Sequence, residues 1–87
     1  MTTDADLLAH IQAVAARCRA GLLEEPPPHQ GGYSPAWVRR QLLGLVDLSR
    51  VSYARLILCM KVAGFEPINP ASTTYTLKNH NGGQFGG

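Results

Sequence analysis

Charge is scarce in this chain: Asp, Glu, Lys and Arg together make up 16% of its 87 residues, against about a quarter in an ordinary globular domain. A lone subunit with so few charges leaves apolar surface in water, so self-association is expected. A chain this short also buries only about 60% of its unfolded surface by itself, and a second copy would supply missing core. Long apolar runs are absent, the longest being Leu56-Ile57-Leu58-Cys59-Met60, far short of the ~18 residues a membrane span requires. Cysteine is nearly absent too. Cys18 and Cys59 stand far apart, each within an apolar helical pattern, which excludes a disulfide framework and paired zinc ligands and leaves two buried, reduced thiols. His10, His29 and His80 are isolated from the cysteines and from one another. No nucleophile–base grouping or metal-ligand spacing emerges, so neither catalysis nor a cofactor is expected. The first residues, Met1-Thr2-Thr3-Asp4-Ala5-Asp6, are acidic where a signal peptide is basic, and the expected location is the cytoplasm.

What is present suits one small folded unit. Apolar residues account for 45% of the chain, enough for a core and too many for wholesale disorder. The net charge of +2 hides an uneven distribution. Residues 33–65 carry Arg39, Arg40, Arg50, Arg55 and Lys61 against Asp47 alone, a net of +4, whereas residues 1–32 sum to −2. A cationic middle section is the electrostatic signature of a segment that meets phosphates; a merely solvated helix face is the bland alternative.

Periodicity predicts an N-terminal helix within residues 1–23, because Leu7, Leu8, Ile11, Val14, Ala15, Cys18 and Leu22 recur at steps of three and four. Thr3 and Asp6 have capping-box spacing at its start, and Gly21 is a natural stop. Its apolar face serves either the internal core or a dimer seam. Residues 24–32, with three consecutive prolines and then two glycines, form a linker. Ser34-Pro35 opens a second helix as N-cap and first helical residue, with Val38, Leu42 and Leu45 as its buried stripe and Trp37 beside it. A further helix runs from about Ser52 to Ala63 and closes at Gly64. In residues 67–78, β-branched alternation over Ser72–Lys78 predicts a strand whose partner could be the same strand of a second subunit, or else an extended arm. Residues 79–87 are glycine-rich and are expected to be disordered.

Within residues 33–66, Leu45-Val46-Asp47-Leu48-Ser49-Arg50-Val51-Ser52-Tyr53-Ala54-Arg55-Leu56 resembles the helix-turn-helix core of small repressors of the Cro and Xre type. Val46 matches the helix-crossing position, Val51 the apolar plug of the turn, and Leu56 the residue that locks the second helix onto the first. Arg50 stands where that family has glycine, and Val46 where it has alanine. The second helix, moreover, is apolar almost all round, so either base contact is confined to its first turn or the helix is central and buried. Val51-Ser52 through Lys61-Val62-Ala63-Gly64-Phe65-Glu66-Pro67 also resembles, more distantly, the recognition helix and following turn of excisionase-like winged proteins of the AlpA and MerR type.

These resemblances imply a mainly α fold, a helix-turn-helix bundle with an N-terminal helix and a short C-terminal strand or arm. They imply a transcriptional regulator, a repressor of the plasmid Kor type or its phage counterparts, binding double-stranded DNA as a homodimer on a palindromic operator. Arg55 is then the base-contacting residue. Ser52 and Tyr53 meet phosphate at the helix start, and Arg39, Arg40, Arg50 and Lys61 make sequence-independent phosphate contacts. The competing expectation is a helical protein-interaction module, such as a phage- or plasmid-encoded inhibitor of a host protein.

Overall fold

The computed structural model describes residues 3–23, 26–27 and 32–77. Three helices pack around one apolar core, closed on one side by a small antiparallel sheet: α1 (Asp4–Ala20), α2 (Pro35–Gln41), α3 (Tyr53–Ala63), β1 (Phe65–Pro67) and β2 (Tyr75–Leu77). The fold is mainly α. The described residues include no helix long and apolar enough to cross a membrane.

Local chemistry accounts for the helix limits. Thr3 caps α1 through a complete capping box with Asp6, and Gly21 ends the helix in the left-handed conformation, where a residue without Cβ sits at least cost. Ser34 accepts the Trp37 amide to start α2, and Ser52 accepts the Arg55 amide at 3.2 Å to start α3. Gly64 closes α3 at φ 111°.

The apolar face of α1 goes to the internal core: Leu7, Ile11, Val14, Ala15 and Cys18 are each at most 3% exposed. They meet Leu42, Leu56, Met60 and Phe65, all fully buried. Of the two roles open to that face, packing within the subunit is the one the structure shows. Leu22, expected on the same face, lies beyond the helix end and is 68% exposed.

Two further expectations are corrected. Leu45 is not part of the buried stripe of α2. The helix stops at Gln41, residues 42–45 turn through Gly44 at φ 81°, and Leu45 is 53% exposed. Leu45–Leu48 therefore does not end a helix: Leu48–Arg50 forms a single 3-10 turn capped by Asp47. Residues 42–52 separate α2 from α3, longer than the roughly three- or four-residue turn of a simple helix-turn-helix. The second correction concerns the strand, which needs no partner from another subunit. β2 pairs with β1 of the same chain in the register Phe65↔Leu77, Glu66↔Thr76, Pro67↔Tyr75. Its other edge bridges Tyr33, with reciprocal amide–carbonyl bonds of 2.7 Å between Tyr33 and Tyr75. Across the sheet the order is thus Tyr33, β2, β1. The glycine-rich 79–87 segment and residues 24–25 and 28–31 of the linker lie outside the described residues. The linker's Pro26 is described, and its carbonyl accepts the Trp37 indole N–H at 3.0 Å.

Candidate nucleic-acid interface

Val51 is an extended, buried residue between the 3-10 turn and α3. The 3-10 turn before it is held by local hydrogen bonds. Asp47 accepts the Ser49 amide at 3.2 Å and the Ser49 hydroxyl at 2.5 Å, and the Val51 amide returns to the Leu48 carbonyl. Those Ser49 hydrogen bonds also stabilise the Asp47 carboxylate and lower its pKa. Leu48 and Val51 drop into the core, while Ser49, Arg50, Ser52, Tyr53 and Ala54 stay exposed around the start of α3.

This junction gathers four of the seven residues expected to meet DNA. Arg50 and Ser52 are exposed, and Tyr53 is 52% exposed. Arg55 follows on the flank facing α1, where its guanidinium pairs with the Asp4 carboxylate and donates to the Arg50 carbonyl. It is half-buried, so the side chain ties the first turn of α3 to the first turn of α1. The other three lie apart from the junction. Arg39, half-buried, and Arg40, exposed, occupy the last turn of α2. Lys61 is exposed in the last turn of α3, about 12 Å along the axis from Tyr53.

The outward side of α3 has a composition that the sequence pattern could not orient. Leu56, Met60 and Ala63 face the core, which puts Ala54, Leu58 and Lys61 opposite them at steps of four and three. Leu58 is 63% and Val62 67% exposed. Beside them, Ala5 and Leu8 of α1 and Cys59 of α3 line an apolar groove of about 280 Å³, with Asp4 and Arg55 at one end. A second groove of about 420 Å³, between the end of α1 and the turn after α2, carries Arg17 and Arg40 beside the exposed Leu22, Leu43 and Leu45. Among the described residues no three His, Cys, Asp or Glu side chains cluster as a metal site.

Comparison with protein-family models, with curated proteins and with solved structures returns no match.

Proposed function

We propose that this protein is a DNA-binding regulator, a repressor acting as a homodimer on a palindromic operator, with α3 as its recognition helix and a longer connection before it than a simple helix-turn-helix has. The observation that carries the reading is the junction around the buried Val51: a hydrogen-bonded 3-10 turn followed by the capped start of a core-anchored helix, with Arg50, Ser52 and Tyr53 exposed there. Backbone N–H groups and hydroxyls at such an end suit phosphate oxygens. The order of elements supports it by analogy of fold. A first helix, a bridging residue that joins the sheet, two more helices and an antiparallel hairpin is the layout in which winged domains set a recognition helix into the major groove and a wing beside the backbone. Residues 68–74, between β1 and β2, take the place of the wing. The net +4 of residues 33–65 supplies the attraction that all duplexes share.

The test is selection of bound sequences from a randomised duplex pool, followed by affinity measurements across a salt series. Binding should weaken steeply with salt. Arg50→Ala or Lys61→Ala should reduce the salt slope by about 1 each with little change in sequence preference. Loss of three exposed candidate phosphate contacts, Arg40, Arg50 and Lys61, with no change in slope, or no binding by folded protein at low salt, would reject it.

A second reading draws on a different observation, the exposed Leu58 and Val62 beside the apolar groove. A helix face of that kind also suits a protein-interaction module, such as an inhibitor of a host protein. Capture of a defined protein partner by a chain that binds no duplex would decide for it.

A further inference from the structure

The face that α3 turns to solvent holds few groups able to hydrogen-bond a base. Among its side chains only Tyr53, Arg55 and Lys61 are strong donors. Arg55 is engaged with Asp4 and the Arg50 carbonyl. Tyr53 and Lys61 stand at opposite ends of the helix, and the surface between them is made of the methyl and methylene groups of Ala54, Ile57 and Leu58, with Leu58 63% exposed.

In the major groove each base pair shows its own pattern of donors and acceptors, and the one apolar group among them is the C5-methyl of thymine. An alkyl surface gains from burying that methyl. Placed against a G·C pair, it strips water from amino and carbonyl groups and returns no hydrogen bond. From this we infer that α3 selects its duplex through thymine methyl groups seated against Ala54, Ile57 and Leu58, while the exposed Arg40, Arg50 and Lys61 hold the phosphates. The inference rests on the DNA-binding function proposed above and names what that surface reads. Arg55 becomes a positioning residue, its pairing with Asp4 holding α3 against α1 rather than supplying a base contact.

Deoxyuridine differs from thymidine by that methyl alone and keeps the same pairing, which makes the test direct. The full chain is used to select duplexes from a randomised pool, and the enriched duplex is then synthesised with thymine or with uracil. The thymine form should bind more tightly by about fourfold per contacted methyl, about 16-fold for two. Leu58→Asn changes an exposed position, and its folding is checked by circular dichroism. It should lower the thymine-to-uracil ratio by about fourfold, the share of one contacted methyl, and leave salt-dependent binding to unselected DNA in place. Equal affinity of the unaltered protein for both duplexes would overturn the thymine assignment and leave duplex binding standing. No enrichment and no binding at low salt by folded protein would overturn both, and would leave the Leu58–Val62 face to a protein partner.

Discussion

Gly64 shows how much one missing Cβ decides. Its φ of 111° lies where L side chains are strained, and a Cβ built there would stand 2.6 Å from the Arg19 guanidinium nitrogen. That same nitrogen donates to the Ala63 carbonyl at 3.4 Å, so the end of α1 helps to cap the end of α3. Gly21 has a similar conformation, φ 72°, with nothing within 4 Å of its virtual Cβ. Gly64→Ala should therefore cost about 1–2 kcal/mol, combining backbone strain with displacement of Arg19, and Gly21→Ala only the strain, about 1 kcal/mol. Urea denaturation of both variants measures the difference. A loss at Gly64 no larger than at Gly21 would show that Arg19 yields freely.

The helices are limited by side chains that satisfy otherwise orphaned amides. α1 has the full Thr3–Asp6 box, with acids in its first turn and Arg17 and Arg19 in its last, an arrangement that suits the helix dipole. α3 has only the Ser52 hydroxyl on the Arg55 amide and no acid in its first turn. Thr3→Ala and Ser52→Ala should each lower stability by about 1 kcal/mol. Their local effects differ, because each hydroxyl caps a different helix. Amide exchange should rise in the first turn of α3 for Ser52→Ala and in the first turn of α1 for Thr3→Ala. Unchanged exchange in both would mean that tertiary packing, not capping, holds these ends.

Across the molecule, Tyr33 ties the helices to the sheet. Its backbone bridges β2, its ring lies 5.2 Å from that of Trp37 and 5.5 Å, edge on, from that of Phe65, and its hydroxyl is close enough to the Cys18 thiol to influence its titration. Burial, reinforced by the nearby thiol, pushes the phenol up to about 12. Burial raises the Cys18 thiol as well, against the opposing influence of the Tyr33 hydroxyl. Both groups are raised on folding, so the stability linked to them is complete below their unfolded values, near 9 for the thiol and 10 for the phenol. It falls as pH climbs, because the unfolded chain gives up protons that the native chain still holds. For Tyr33 the decline spans about pH 10 to 12. Asp47 works in the opposite sense: its lowered carboxyl loses stabilisation as pH falls through its folded value. Denaturation midpoints measured against pH should begin to drop above about pH 9, where the unfolded thiols ionise, and Tyr33→Phe should flatten the part of that limb above pH 10. An unchanged limb in the variant would count against the buried phenol as its source.

Much of this architecture is legible along the chain because it depends on neighbours close in sequence. The Thr3 box, the Ser34-Pro35 start, the Ser52 cap and the Gly64 stop are all contacts within about four residues, and the three-and-four spacing of Leu7, Ile11, Val14 and Cys18 identifies their buried face. The mainly α character follows from these. Where α2 stops was not legible: Leu42 and Leu45 are equally apolar, and only the turn through Gly44 and the finite room in the core send one inward and the other to water. The pairing of β2 was hidden for a similar reason, since its partners, Phe65–Pro67 and Tyr33, are joined by hydrogen bonds between residues distant in sequence. Arg55 is the clearest case at the candidate interface. Local pattern places it one turn into α3, but the direction of its guanidinium was decided by Asp4, a residue brought beside it only when α1 and α3 bury their apolar faces against each other.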